Sequence, residues 1–373
     1  MDTKKIIIAP DSFKDSISAT RVCRIIQDVI IDNFPQFNVK SIPVSDGGEG
    51  FLEILTENLN LKTIKLSVIG PAGNRVNANY GVSQKTAYIE MSQASGLQYL
   101  SMDQRDPLKT TTYGLGQMIK DALNRGFKEF VLGIGGSATC DGGAGMAQAL
   151  GCKFYDQKGS EIRKPLTGGM LQEISDIDCR ELQSKIQNCN FKVASDVTNP
   201  LLGEKGAVYV YAPQKGAGKE DLEILEENMQ HLNTLFESKL NKVVKNIPGA
   251  GAAGGLGAGL VAFLDAKLKS GSKFILNLLD FENKIQNALA IITGEGKIDH
   301  QTIDGKIISE VIKFARNNKI PVFAVCGQMK GDKIPGIEKT VALTNYTDQK
   351  QAIKNPEKYL VMATKDLITE MLK

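Results

Sequence analysis

The chain has 373 residues, enough for two α/β domains with separate cores. Lys+Arg 45 against Asp+Glu 42 leave a net charge of +3, and no basic run carries interleaved aromatics, which argues against nucleic acid and acidic membranes as partners. The six scattered cysteines (Cys23, Cys140, Cys152, Cys179, Cys189 and Cys326) include no C-x-x-C pair and read as free thiols; the apolar run of MDTKKIIIAPD is too short for a signal peptide, no stretch nears the ~18 apolar residues of a membrane span, and a cytoplasmic globular protein is expected.

Residues 5–9 read as a buried strand ending at Pro10-Asp11-Ser12-Phe13-Lys14. Ser16 or Ser18 can cap the next helix, whose Val22, Ile25, Ile26, Val29 and Ile30 recur at helical spacing. Asp11 and Lys14 are either a solvated charged turn or ligand groups, at the strand end where α/β folds usually bind ligands. Residues 38–44 read as a second strand that delivers Asp46, Gly47, Gly48 and Glu49 to a helix over 51–57. Those two acids either complement the helix dipole or face a ligand, and the paired glycines have no capping purpose.

From Gly70 the texture changes. Residues 61–68, 76–82 and 86–91 alternate in polarity between the turns 70–74 and 83–85, an antiparallel signature taken as the start of a second domain. A helix over 115–125 stops at Gly126. The apolar run 130–134 then reads as a buried strand, followed by Gly135-Gly136-Ser137-Ala138-Thr139, by Asp141-Gly142-Gly143, and by the helical positions Met146, Ala147 and Leu150. Strand, glycine loop and helix start form either an ordinary tight connection or a cradle of backbone N–H groups for an anion. Asp141 beside that cradle would repel a bare phosphate and suit a magnesium-bridged one.

Residues 154–161 read as a hairpin, and 191–195 as a strand ending in Asp196 and Asn199 on a loop closed by Pro200. Lys215 and Lys219 lie in a Gly/Lys loop that is no Walker A, because Pro213 stands six residues before Lys219 and Glu220 follows it. A long amphipathic helix spans 221–240. Its His231 reads as a half-buried structural histidine, and with His300 the only other histidine, neither a Ser-His-Asp triad nor a histidine metal site is supported. Residues 248–260 hold Gly249, Gly251, Gly254 and Gly255 ahead of a helix over 256–268, either a ligand cradle or a closely packed helix start. A strand over 289–293 ends in Gly294-Glu295-Gly296-Lys297-Ile298-Asp299, and a helix over 303–316, strands over 321–325 and 340–343, and a helix over 356–372 finish the chain.

This tail repeats the βαβ texture of the opening. The expected fold is therefore α/β with two domains: a doubly wound, Rossmann- or flavodoxin-like parallel sheet from 1–69 plus 286–373, and an inserted mixed α/β domain over 70–285. Acids recur beside glycines at Asp11, Asp46, Glu49, Asp141, Asp196, Glu295 and Asp299, with Lys14 and Lys297 among them. Phosphoryl transfer needs this mixture of backbone cradles, carboxylates for magnesium, cations for developing charge and a base for a hydroxyl proton. The residues alone thus point to a magnesium-dependent, phosphate-handling α/β enzyme. An NAD-dependent oxidoreductase is the first alternative, from Gly133-x-Gly135-x-x-Ala138 with Asp156 downstream. A non-catalytic sensor of a small hydroxy acid is the second.

Six segments, PDSFK from Pro10, DGGEG from Asp46, LGIGGSATCDGGAGM from Leu132, DVTNPLLG from Asp196, PGAGAAGGLGAG from Pro248 and ITGEGKID from Ile292, resemble the glycerate kinase family in order along most of the chain. This is the bacterial type, unlike the P-loop, sugar-kinase and protein-kinase folds. The resemblance implies ATP- and Mg2+-dependent phosphorylation of D-glycerate at the 2-hydroxyl, with the 3-hydroxyl as alternative, and two domains with the site in the cleft between them. Cys140, Ser195 and His300 depart from the family pattern without removing a charged motif residue. The roles expected on this basis place phosphate or carboxylate oxygens on Gly135, Gly136, Ser137, Gly251, Gly254 and Gly255. Lys14 neutralises the transferred group, Asp11 joins it in catalysis, and Asp46, Asp141 and Glu49 hold magnesium. Asp196 is the base and Asn199 orients substrate, while Glu295, Lys297 and Asp299 complete the cleft wall. Whether the protein is a monomer or a homodimer is left open.

Overall fold

A computed structural model describes residues 4–14, 16–48, 50–299, 307–331 and 334–373. The strands in chain order are β1 (Lys4–Pro10), β2 (Phe37–Ser41), β3 (Lys62–Ile69), β4 (Arg75–Ser83), β5 (Thr86–Glu90) and β6 (Glu129–Gly133). They continue with β7 (Lys153–Tyr155), β8 (Asp176–Asp178), β9 (Asn190–Ala194), β10 (Lys267–Lys269), β11 (Ala288–Ile298), β12 (Val322–Met329) and β13 (Lys339–Ala342). The chain divides into two compact units, Met1–Asp46 with Gly271–Lys373, and Gly47–Ser270. Among the described residues no helix is long and apolar enough to cross a membrane.

The first unit is a five-stranded sheet in the order β13-β12-β11-β1-β2, parallel throughout. Burial on both faces is written into β1, whose Ile6, Ile7 and Ile8 are fully buried, as expected of a central parallel strand. The helix Ala19–Asn33 packs Val22, Ile26 and Ile30 onto Ile6, Ile8, Ile292 and Val325, joined by Leu360 and Leu367 of the helix Pro356–Met371. Ser18 is its N-cap, accepting from the Arg21 N–H, whereas Ser16 donates to the Ile353 carbonyl. From β1 the chain steps to β2 on one side, and β11 leads to β12 and β13 on the other. The strand order therefore reverses between β1 and β11, and a doubly wound sheet opens a crevice at the carboxyl ends of such a pair.

The second unit has a six-stranded sheet, β10-β9-β6-β5-β4-β3, antiparallel from β3 to β5 and parallel from β5 to β10. Phe130 and Phe191, register partners on β6 and β9, stack at 4.5 Å. On the helices Lys219–Leu240 and Ala252–Leu264, Phe236 and Phe263 meet edge to face at 5.3 Å. Each of these buried phenyl side chains contributes roughly 2–3 kcal/mol of transfer free energy. His231 is half-buried, with Nε2 at 2.6 Å from the Ile174 carbonyl, as a structural histidine should be.

Several sequence expectations shift. The units divide after 46 and 270 rather than after 69 and 285: β3 pairs with β4 over eight residue pairs and ties 47–69 to the second sheet, while the helices Gly271–Leu278 and Phe281–Ile285 fall in the first unit. The hairpin read over 154–161 reduces to a single bridge, Tyr155 with Glu161, because β7 takes β8 as its ladder partner. Two cysteines are not free thiols. Cys152 and Cys179, 27 residues apart in sequence, form a disulfide, since the β7–β8 ladder brings the segments before and after it together. Cys140, Cys189 and Cys326 are thiols outside that bond.

Candidate active site

In the first unit a cavity of about 340 Å³ opens at the strand-order reversal. Asp11 follows directly on β1, its N–H donating to the Gly294 carbonyl at 2.8 Å, and Glu295 is carried by β11 itself. The wall also holds Lys14, Asp46, Lys297 and Asp299, with Phe13 and Ile353 as apolar lining. Glycine is required beneath it: a Cβ on Gly294 would lie 2.1 Å from the Val325 carbonyl oxygen, and one on Gly327 would lie 2.4 Å from that of Gly296. The G-E-G pattern therefore lets β11 and β12 run on together, and it continues as strand through Glu295 and Lys297 instead of ending at Thr293.

Acids and lysines stand side by side in this pocket. Asp11 is 8% exposed, and its pKa is pushed up to about 8, first by burial and then by Asp46, with Glu295 adding to it. The Ser12 N–H at 2.7 Å and Lys14 pull the other way. Lys14 is mostly exposed and 3.9 Å from Asp46, and Lys297 pairs with Asp299 at 2.5 Å. The Cys326 thiol is pushed up to about 12 by burial and by Glu295, so it is no nucleophile. Among the described residues no three His, Cys, Asp or Glu side chains form a ready-made metal cage. The carboxylates of Asp11, Asp46 and Glu295 are oxygen donors of the kind magnesium takes, one or two at a time, together with substrate phosphates and its own waters. Glu49, the third expected ligand, lies outside the described residues, as does His300.

In the second unit the loop after β6 has one exposed residue between 134 and 143, Gly136, with φ +72°. The Gly135 N–H donates to the Gly47 carbonyl, and the Gly136 carbonyl accepts from Leu97, which fixes the loop from both sides. Ser137 is 6% exposed, and its Oγ accepts from Lys215 Nζ at 2.7 Å. Asp196 is half-buried just beyond β9 and accepts from Ser270 Oγ at 3.1 Å.

The glycerate kinase family profile matches residues 6–372. The chain belongs to the glycerate kinase family. A "Glycerate kinase" of Halalkalibacterium halodurans is 47% identical over 326 residues, covering 87% of this chain and 85% of the relative. A "Glycerate 2-kinase" of Escherichia coli is 44% identical over 330 residues, covering 88% and 86%. A crystal structure assigned to glycerate kinase 2 of Salmonella typhimurium superposes with a TM-score of 0.85 at 38% identity, covering 99% of this chain and 98% of that one.

Within this member of the glycerate kinase family, several motif residues have tasks other than those expected. Asp141 is fully buried, and its two oxygens accept from the Thr112 N–H and hydroxyl and from the N–H groups of Gly143 and Gly145. Burial raises its pKa while those donors oppose the rise. Asp141 is thus a clamp joining two chain segments, both of its oxygens taken by these donors. Asn199 donates to the Lys205 carbonyl at 2.8 Å and accepts from the Tyr211 hydroxyl at 2.6 Å, so both ends of its amide hold the loop. The 248–260 stretch is a packing device. Ala253, Gly254 and Gly255 are left-handed, a Cβ on Gly254 would lie 2.0 Å from the Thr139 carbonyl oxygen, and the Gly251 N–H is taken by the Asn199 carbonyl. The first expected anion loop, at Gly136 and Ser137, keeps an exposed backbone; the second, at Gly251, Gly254 and Gly255, does not. The dinucleotide alternative fails on geometry as well: the helix after β6 begins only at Ala144, and Asp156 closes a turn through the Lys158 and Ser160 N–H groups. Burial of a lysine leaves no mark in a sequence, and the one clue to Lys215 is the turn beside it, where Gly216 has φ +100°.

Proposed function

We propose that this chain catalyses ATP-dependent phosphorylation of D-glycerate at the 2-hydroxyl, giving 2-phosphoglycerate. Family membership and the Escherichia coli relative's description as a 2-kinase support the reaction and its position. The observation that carries the chemistry is the crowding of Asp11, Asp46 and Glu295 at the first unit's strand-order reversal, beside Lys14 and Lys297. Such carboxylates repel one another until a divalent cation joins them, and the lysines suit the phosphates that accompany it. Asp46 and one carboxylate neighbour, Asp11 or Glu295, would help hold Mg2+, which when bound shields the charge of the phosphates. Lys14 and Lys297 then bind phosphate oxygens and offset the charge that builds as the phosphoryl group moves. Asp196 accepts the proton of the attacking hydroxyl, and the Gly136 N–H with Ser137 receives an oxyanion of a substrate.

Incubation with ATP, Mg2+ and D-glycerate, followed by phosphorus NMR of the product, tests this directly. 2-Phosphoglycerate is expected. 3-Phosphoglycerate would overturn the position, and no product from folded protein would overturn the reaction. Asp196→Asn should lower kcat by about 10²–10⁴-fold, as loss of a positioned base does; near-normal turnover would remove Asp196 from that role.

A further inference from the structure

Behind the exposed Gly136 lies a buried lysine, whose pKa burial lowers and Cys140 and Asp141 raise. Lys215 is 1% exposed, and its Nζ donates to Ser137 Oγ at 2.7 Å and to the Thr139 carbonyl at 2.7 Å. Its acidic neighbour Asp141 gives both oxygens to Thr112, Gly143 and Gly145, so no carboxylate hydrogen-bonds the ammonium among the described residues. A buried charge without a direct counter-ion is costly, and methionine would fill the same volume without that penalty. A second observation lies in the same loop. Thr139 Oγ1 and Ser95 Oγ are both fully buried and have no hydrogen-bond partner among the described residues. Ser95 is bound to this loop through its carbonyl, which accepts from the Ala138 N–H at 2.9 Å.

We propose that Lys215 is a positioning residue that sets Ser137 and the Gly136 backbone to receive an oxyanion of a substrate, either a nucleotide phosphate or the glycerate carboxylate. The inference rests on the phosphotransferase reading above and adds the residue that builds its anion loop. Because Ser137 Oγ accepts from Nζ, the serine hydroxyl hydrogen is turned away from the lysine and is available to donate. An anion seated on the loop favours the protonated form of the amine against the burial that disfavours it, and low polarity strengthens that attraction. The turn Pro213–Lys215 directs the lysine inward because Gly216 closes it with φ +100°; a Cβ there would lie 2.1 Å from the Arg105 carbonyl oxygen.

Steady-state kinetics of Lys215→Met, Ser137→Ala and the double variant test this, with far-UV circular dichroism to confirm folding. Lys215→Met should raise the KM of one substrate by about 10-fold or more, with kcat changing by less than about threefold. A rise for ATP identifies the anion as phosphate, and a rise for glycerate identifies it as carboxylate. The double variant should be no more than about threefold worse than Lys215→Met, because both act through one hydroxyl. Unchanged KM for both substrates, or losses that multiply, would overturn the proposal. Ser137→Ala removes no buried charge, so an unchanged KM in that variant is decisive even if Lys215→Met fails to fold. Thermal shifts with inorganic phosphate and with D-glycerate separate this inference from the reaction itself. One of the two should stabilise the wild type and not Lys215→Met, whether or not turnover is seen, and equal shifts in both proteins would overturn the role of Lys215.

Discussion

Asp11→Asn is the sharpest probe of the crowded acids in the first unit. The carboxyl stands at about 8 against an ordinary 3.8, with burial the larger cause and Asp46 the next. A folded-state value above the unfolded one means that the folded chain holds this proton more tightly, so stability falls as pH rises from about 4 to about 8. At about 1.4 kcal/mol per pH unit between those values, the charged form costs on the order of 5 kcal/mol above pH 8. Below pH 4 both states carry the proton and the cost vanishes. Asparagine keeps a carbonyl oxygen for the Ser12 N–H and removes the charge. The chain has no tryptophan, so urea unfolding is best followed by far-UV circular dichroism. The variant should match the wild type within about 1 kcal/mol near pH 4.5 and exceed it by several kcal/mol near pH 8.5. Mg2+ should stabilise the wild type more than the variant at the upper pH, and the variant should lose turnover. A difference between the two proteins that does not change with pH would refute the crowding argument.

Asp141→Ala strands the Thr112 hydroxyl and three backbone N–H groups in the core, and thermal unfolding should report a loss of about 3–5 kcal/mol that excess Mg2+ does not restore. An unchanged melting temperature would return Asp141 to the list of metal ligands. Gly254→Ala forces a left-handed residue to carry a Cβ against the Thr139 carbonyl, and urea unfolding should show a loss of about 2 kcal/mol or more. The Cys152–Cys179 disulfide closes a 27-residue separation, so dithiothreitol or the paired serine variant should lower stability by about 2–4 kcal/mol in the same assay. An identical urea midpoint with and without reductant would show that the bond contributes nothing.

The elements with strong periodicity were legible before any coordinates. Val22, Ile26 and Ile30 mark one face of a helix, and the three isoleucines of β1 mark a strand buried on both sides. Asp11 and Asp46 follow strands that local pattern alone marks, and Glu295 stands out between Gly294 and Gly296, although it lies within β11 and not past its end. What stayed hidden depends on contacts distant in sequence. Gly254 and Gly136 look alike in a glycine-rich string, yet one is pressed onto the Thr139 carbonyl and the other is exposed. Asp141 shares its motif with the glycine loop, but its oxygens are taken by Thr112, 29 residues earlier. The extension of β11 through Lys297 needs the ladder to Gln328, and the disulfide needs the pairing of β7 with β8.

The first unit is closed by strands from opposite ends of the chain, and this fixes the order in which its pocket can exist during synthesis. β1 is made before the contiguous second unit, and β11, its neighbour in the sheet, emerges only after it. At roughly 5–20 residues per second the ribosome takes about a quarter of a minute to a minute to bridge that gap. Until β11 is made, β2 is the only one of β1's two sheet neighbours that exists, and the β11 side of Ile6, Ile7 and Ile8 has no strand to cover it. A product that terminates early, anywhere before Ala288, keeps that apolar edge and lacks Glu295. An incomplete copy is therefore both sticky at that edge and short of a carboxylate in its pocket.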